Sequence, residues 1–218
     1  MDSAAPQAIK IETLIASTAA VFILDPLLLG LFQALAVPRF LGLGLARIVQ
    51  TLAVLALVFH FQKSLTVLGF PEKGLLKGLA RGAIWAGLTG LATLCGFGLL
   101  YAAGVNPLAL FRNPLPRSAV DTVFYFIAGG LAAPLAEEVY FRGVLFRFLR
   151  TRGFLFALVV STTVFAGAHM LFSGRSLPLS QIAGGLLFAW SFEKEKSLWV
   201  PMVIHSTGNI ALFTLSLL

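Results

Sequence analysis

The feature that most constrains this chain is a series of apolar segments, each about as long as a helix that crosses a lipid bilayer. A hydrocarbon core about 30 Å thick requires roughly 20 apolar residues in a helix. Such segments occupy residues 11–37, 41–61, 75–104, 118–150, 154–172, 179–192 and 198–218. The pattern predicts an all-α fold, a polytopic transmembrane helix bundle of about seven spans, with a thin or sheltered crossing at the short segment 179–192.

Composition agrees with a membrane protein and argues against other classes. Hydrophobic residues make up 58% of the 218 residues and charged residues only 11%, whereas soluble domains are about one quarter charged. The net charge of +7 does not indicate a nucleic-acid partner, because the Lys and Arg residues form no long run and lie between apolar segments. Cys95 is the single cysteine, which excludes an intrachain disulfide and a cysteine-based metal site. We expect the lipid bilayer as a partner and no nucleic acid.

Segment 118–150 determines how the chain crosses the membrane. It is long enough for one helix bent at Pro134 or for two separate crossings. With one helix and a cytoplasmic amino terminus, most Lys and Arg residues lie on the cytoplasmic side, as the positive-inside rule prefers. Two crossings would move Arg147, Arg150 and Arg152 to the other side. We therefore predict seven spans, with eight as the alternative.

We expect a single integral-membrane domain over residues 1–218. Residues 1–117 supply amino-terminal spans of generic character, and residues 118–218 form the core spans that contain the polar residues considered below. The small size and the lack of appended domains favour a multi-pass protein of a prokaryotic plasma (inner) membrane, with the amino terminus in the cytoplasm.

Three charged residues interrupt segment 118–150, within the stretch APLAEEVYFRGVLFR at 133–147. Facing lipid, Glu137, Glu138 and Arg142 would together cost roughly 8–10 kcal/mol, so we expect them to face the protein interior or a wet cavity. Glu138 and Arg142 have the i,i+4 spacing of an ion pair, which fits either a packing network or the support of a site. Glu137 points about 100° away around the helix. It is the carboxylate without a local partner, and therefore the candidate functional group.

Two histidines and an asparagine lie in later segments. His169 is in segment 154–172, and His205 is in segment 198–218 with Asn209 four residues on, hence on the same helix face. A carboxylate and a histidine that flank one water form a general-base arrangement. His205 and Asn209 can donate hydrogen bonds to a developing oxyanion. Because no Ser or Cys has the setting of a nucleophile, these residues favour hydrolysis of a peptide bond by water.

Three short motifs resemble those of the CAAX-protease and bacteriocin-processing family of intramembrane endopeptidases. Residues 137–142, EEVYFR, resemble its E-E-x-x-x-R motif. Residues 165–169, FAGAH, resemble its F-x-x-x-H motif, and residues 205–209, HSTGN, its H-x-x-x-N motif. Each motif is weak alone, whereas all three in the same order on separate segments are a strong signal.

The resemblance covers about residues 121–209 and implies an intramembrane endopeptidase of the glutamate type. Its substrate would be a membrane-anchored protein or peptide tail, of CAAX type or with a carboxyl-terminal sorting tag, cut near the cytoplasmic surface. By motif position, Glu137 with His169 would activate the water, and His205 with Asn209 would stabilise the oxyanion. The supporting residues implied are Glu138, Arg142 and Phe165.

Two alternatives stay open at the level of sequence. The first is a zinc-dependent version of the same protease, in which Glu137, His169 and His205 would hold the metal; H-E-x-x-H is absent, so we expect no metal cofactor. The second is a non-enzymatic membrane protein, such as an immunity protein or a proton-coupled carrier. A carrier commonly shows internal two-fold similarity, and this sequence shows none.

Overall fold

The computed structural model describes residues 8–71, 74–111, 114–173 and 179–217. Over these ranges the regular structure is helical, which confirms the predicted all-α class. The helices, in chain order, are α1 (Ile11–Ala34), α2 (Arg39–Gln62), α3 (Leu75–Ala102), α4 (Pro107–Phe111), α5 (Ala119–Arg150), α6 (Phe154–Ser173), α7 (Leu179–Glu195) and α8 (Trp199–Leu215), with one 3₁₀ turn at Thr66–Leu68.

The helices have the dimensions of a multi-pass membrane protein. Five of those described, α1, α2, α3, α5 and α6, are long and apolar enough to cross a bilayer. The other two long helices, α7 and α8, have 17 residues each, which is about 25 Å of helix. A polytopic helical bundle is therefore confirmed, and the count of seven spans stays a prediction, as does the cytoplasmic amino terminus.

Helix α5 is continuous from Ala119 to Arg150, as predicted for one long span rather than two crossings. Ser118 caps its start by accepting a hydrogen bond from the backbone N–H of Asp121, at 3.1 Å. Two stretches inside it, Ala128–Ala132 and Val139–Phe146, are π-helical. The first directly precedes Pro134, whose missing N–H interrupts regular α-helical bonding. Both glutamates therefore lie in a short α-helical segment, Ala133–Glu138, between two π-helical ones.

The second half of α5 forms the centre of the bundle. Every residue from Val139 to Phe146 is buried, and α5 packs against α1, α2, α6, α7 and α8. Helix α3 lies outside this group: its only buried residues are Gly78 and Gly82, and it packs on α8. The large apolar side chains that α3 exposes, such as Leu88 and Leu91, suit contact with lipid rather than water.

Two glycines let α3 approach α8 closely. A Cβ added at Gly82 would lie 2.7 Å from Cβ of Val203, and one at Gly78 would lie 2.9 Å from Cβ of Trp199. Small residues serve this purpose in membrane bundles, where close backbone approach increases van der Waals contact.

We expect Gly82→Ala to destabilise the protein by about 1–3 kcal/mol, because the added methyl group overpacks against a side chain that is stiff in a helix. The measurement is thermal unfolding in detergent, followed by tryptophan fluorescence. Gly87→Ala is the matched control, since a Cβ there meets nothing within 4 Å, and it should leave the melting temperature unchanged or slightly raised. Equal melting of both variants would contradict the close α3–α8 contact.

Candidate active site

The ion pair predicted between Glu138 and Arg142 is present. Nη1 of Arg142 lies 3.1 Å from Oε1 of Glu138, and the two side chains are 1% and 0% exposed. Nη2 of Arg142 also donates to the backbone carbonyl of Gly185 on α7, at 3.2 Å. The guanidinium therefore joins α5 to α7 in the middle of the bundle.

Aromatic rings surround this guanidinium. Its carbon lies 4.6 Å from the centroid of the Phe165 ring and 5.2 Å from that of Phe188. Ring faces attract a cation, and the attraction is stronger where water is excluded. The ring of Phe165 therefore contacts the ion pair, and its role as a supporting residue stays a prediction.

Glu138 has a second partner that the sequence did not indicate. Nδ1 of His205 lies 2.8 Å from Oε1 of Glu138, so this one oxygen accepts from both Arg142 and His205. The imidazole of His205 stacks on the ring of Phe188, with centroids 4.5 Å apart and planes 19° apart. A hydrogen bond and a stacking contact together fix its orientation, and its Nε2 lies 3.8 Å from Oε2 of Glu137.

His169 approaches Glu137 from another helix. Its Nε2 lies 3.8 Å from the same Oε2 atom, and its Nδ1 is 3.0 Å from the carbonyl oxygen of Phe165. Since a carbonyl only accepts, Nδ1 carries the proton and the neutral ring has an unprotonated Nε2. The same assignment holds for His205 beside the Glu138 carboxylate. Three of the four residues predicted as catalytic, from α5, α6 and α8, therefore meet at one carboxylate oxygen.

The two glutamates differ in how much of each side chain is exposed. Glu138 is completely buried, whereas the side chains of Glu137 and His169 are 15% and 28% exposed. Both of the latter residues line a cavity of about 170 Å³. Oε2 of Glu137 is itself buried and accepts no hydrogen bond from the part of the chain that the structure describes. At 3.8 Å the histidine nitrogens are too far from Oε2 for direct hydrogen bonds, while a water between them would donate one hydrogen to Oε2 and the other to one of the imidazoles.

Asn209, the fourth predicted residue, has a different contact. It lies one turn beyond His205 on α8, and its Nδ2 donates to the backbone carbonyl of Gly129 in the first π-helical stretch of α5, at 2.8 Å. An amide NH₂ carries two hydrogens, so this bond leaves the second one for another acceptor. The structure thus shows Asn209 holding α8 to α5, and its role toward an oxyanion stays a prediction.

The zinc alternative depends on the spacing of Glu137, His169 and His205. Ligand atoms of a tetrahedral zinc lie about 3.4 Å apart, and the Oε2–Nε2 distances from Glu137 to the two histidines are both 3.8 Å. Across residues 8–71, 74–111, 114–173 and 179–217, no three His, Cys, Asp or Glu side chains form a group that could hold a metal ion. The donor types still suit zinc, and metal dependence stays open to measurement.

Several residues of the site were missed by reasoning from sequence. The backbone carbonyl of Gly185 accepts a hydrogen bond from Arg142, and the ring of Phe188 stacks on His205. In the sequence, only the paired glycines at 184–185 indicate a place where two helices approach closely. The cavity is also lined by Asp25 and Arg47 of the amino-terminal helices. The rule that ionisable residues inside a membrane are functional candidates would have found these two.

Comparisons with known proteins match the part of the chain that contains the candidate catalytic residues. Residues 119–211, which include all three motifs, match the family model described as type II CAAX prenyl endopeptidase Rce1-like. This part of the chain, somewhat less than half of it, is similar to the Rce1-like family. The resemblance predicted from the motifs to the CAAX-protease and bacteriocin-processing group is thereby confirmed. The Rce1-like match begins where α5 begins, so α1 to α3 lie outside it.

One relative of this chain is a protein of Bacillus subtilis (strain 168) named "Putative membrane peptidase YdiL". The two are 30% identical over 84 residues, which are 38% of this chain and 33% of that relative. The matched part thus spans about a third of the relative's length. No solved structure matches the chain.

The site geometry predicts different effects for the supporting and the exposed charges. Arg142→Met would leave the Glu138 carboxylate buried without its cation, and breaking a buried pair in this way costs about 3–5 kcal/mol. Glu137→Gln preserves shape at a partly exposed position and should change stability little. Thermal unfolding in detergent measures both. Equal destabilisation by the two variants would show that Glu137 belongs to the structural network.

Proposed function

We propose that this protein is an intramembrane endopeptidase that uses Glu137 to activate a water molecule. The observation that carries the proposal is the buried Oε2 of Glu137, which lies 3.8 Å from Nε2 of both His169 and His205 and accepts no hydrogen bond from the described residues. A buried carboxylate oxygen needs a donor. A water in contact with these three atoms supplies one and is the nucleophile of the reaction.

In the first step, Glu137 removes a proton from the water as its oxygen attacks the carbonyl carbon of the peptide. Nε2 of His169 accepts the other hydrogen of the water and aligns its lone pair. The carbonyl π bond opens and its electrons go to the oxygen, which becomes an oxyanion. General-base assistance of this kind contributes about 10²–10⁴-fold to the rate.

The oxyanion requires donors, and His205 and Asn209 are the candidates. Nδ1 of His205 is held by Glu138 at 2.8 Å, and the ring donates through Nε2 when both of its nitrogens carry a hydrogen. The second amide hydrogen of Asn209 is the other donor. When the C–N bond breaks, Glu137 returns its proton to the leaving amine, so the products are one carboxylic acid and one amine.

The proposed substrate is a membrane-anchored protein or peptide tail. The family description names CAAX prenyl endopeptidases, which supports a carboxyl-terminal tail as the segment cleaved. The site lies among helices long enough to cross a bilayer, and a substrate that shares the membrane reaches it without passing through bulk water. Cleavage near the cytoplasmic surface follows from the predicted orientation of the chain.

The experiment is cleavage by purified protein in lipid vesicles. The probes are a farnesylated peptide ending in three residues after its cysteine, and a peptide with one transmembrane helix and an unprenylated tail. We expect wild type to cleave at least one probe, and Glu137→Gln and His169→Ala to slow turnover by about 10²–10⁴-fold through loss of the general base and its partner. Mass spectrometry identifies the products.

Ser180→Ala is the control for this experiment, because Ser180 is exposed and, among the described residues, its hydroxyl bonds only to the neighbouring Gln181. It should cleave at the wild-type rate. Normal cleavage by folded Glu137→Gln would overturn the general-base assignment, and lack of cleavage of any probe by wild type would overturn the proposed activity.

The zinc-dependent mechanism is the second candidate, because a carboxylate and two imidazoles are a donor set that zinc accepts. We expect turnover to persist in a strong chelator and metal analysis to find less than one zinc per ten chains. One tightly bound zinc per chain, with activity lost on its removal and restored by its return, would instead assign Glu137, His169 and His205 as ligands.

A further inference from the structure

The amino-terminal helices contribute a second buried charged pair to the cavity. Asp25 of α1 is 5% exposed, and its Oδ1 lies 3.2 Å from Nη1 of Arg47 on α2. Each ionised side chain at the middle of a membrane helix is costly, which makes such residues functional candidates by default. Neither residue lies in the part of the chain that matches the family model, so the motifs give this pair no role.

The pair faces the candidate active site across one cavity. Asp25, Arg47 and Gln50 form the wall on the side of α1 and α2, and Glu137 and His169 form the opposite wall on α5 and α6. A peptide bond positioned at Glu137 therefore has its flanking residues beside the guanidinium of Arg47.

The guanidinium of Arg47 is held firmly at one end only. Its Nη1 donates to Oε1 of Gln50 at 2.9 Å and contacts Asp25, and Gln50 is anchored in turn by donating to the backbone carbonyl of Val21 at 2.8 Å. Arginine has five N–H hydrogens, and the contacts of Arg47 with Gln50 and Asp25 use Nη1; Nε is buried and donates to no described residue. The side chain is 18% exposed, more than the 8% of Asp25. The guanidinium of Arg47 is therefore held in one orientation by the protein and has N–H hydrogens available for a ligand.

We propose that Arg47 is a substrate-binding residue that donates hydrogen bonds to a main-chain carbonyl of the peptide next to the bond to be cleaved. An extended peptide inside the membrane must have its C=O and N–H groups satisfied by the protein, because no lipid group can do so. The cavity is otherwise mostly apolar, with Val21, Phe22 and Ala136 among its lining. The inference rests on the proposed protease function and assigns substrate binding to the amino-terminal helices.

Charge favours a neutral carbonyl over a carboxylate as the group bound. The cavity already contains the acidic groups of Asp25 and Glu137, against the one guanidinium of Arg47. A carboxylate ligand would add a third negative charge at low dielectric, which is unfavourable. A peptide carbonyl accepts from the guanidinium without displacing Asp25. Recognition of this kind does not depend on substrate side chains.

A purely structural role for the pair predicts a different outcome. As a link between α1 and α2, the pair would be replaceable by apolar side chains of similar size, which is often neutral or stabilising for a buried ion pair. The double variant Asp25→Leu/Arg47→Met makes that replacement and leaves no unpaired charge. It separates binding from helix packing, because it should fold even if Arg47→Met alone does not.

The experiment measures binding in a background that cannot turn over. A fluorescent peptide with one transmembrane helix and a tail is titrated with Glu137→Gln protein in vesicles, with and without Asp25→Leu/Arg47→Met. We expect the double substitution to weaken binding by about 10–100-fold, the effect of losing a hydrogen bond to a charged group. Arg39→Gln is the matched control: it removes a guanidinium from the same helix at a position outside the cavity lining, and binding should not change.

A second set of peptides identifies the group that is bound. Each peptide has one amide near the cleavage site replaced by an ester, whose carbonyl is a weaker acceptor. One such replacement should weaken binding to protein that retains Arg47 and have no further effect in the double variant. Unchanged binding in a folded double variant would overturn the inference. So would a preference for a free terminal carboxylate that requires Arg47.

These results separate the inference from the proposed function. Cleavage by wild type with binding indifferent to Arg47 would overturn the inference alone. Binding that depends on Arg47 in a protein that never cleaves would retain the peptide site and overturn the protease. Absence of binding by any probe would overturn both.

Discussion

The arrangement of this protein depends on one fully buried carboxylate, that of Glu138. A charge at 0% exposure is tolerable only when it is paired and hydrogen-bonded. Oε1 of Glu138 meets this condition by accepting from Arg142 on its own helix and from His205 on α8. Arg142 continues the connection to Gly185 on α7. Three helices are thus positioned by one oxygen atom and its partners, and the orientation of His205 follows from the same contact.

Two adjacent glutamates are candidates for different roles because their surroundings differ. Glu138 lies among aromatic rings and charged partners, whereas Glu137 lines a cavity. Each of them has one buried oxygen without a hydrogen-bond partner among the described residues. The same principle separates acid and base roles of paired carboxylates in soluble enzymes. Here the difference originates in the helix itself, since consecutive side chains point about 100° apart. One turns toward the packed centre and the other toward the cavity.

The two halves of the chain contribute different residues to the cavity. The family match covers residues 119–211, which contain the candidate catalytic groups and the network that holds them. Helices α1 and α2 close the cavity from the other side and supply Asp25, Arg47 and Gln50.

The sequence by itself determined the helical class, the helix positions and the Glu138–Arg142 pair. The physical reasons are local: apolar length is fixed by bilayer thickness, and an i,i+4 pair is fixed by helix geometry. It also indicated that Glu137, His169 and His205 belong to one site. The two reasons are the free-energy cost of exposing ionisable side chains to lipid and the order of the three motifs along the chain.

Only the tertiary structure decided which atoms meet. The bond from His205 to Glu138 joins residues 67 positions apart, and the one from Asn209 to Gly129 joins residues 80 apart. Such contacts depend on how helices are rotated and packed, and the two π-helical stretches of α5 change the direction of its side chains in a way that a regular 3.6-residue period does not predict. The place of Asp25 and Arg47 opposite Glu137 has the same origin, because helix packing rather than sequence spacing brings α1 and α2 against α5.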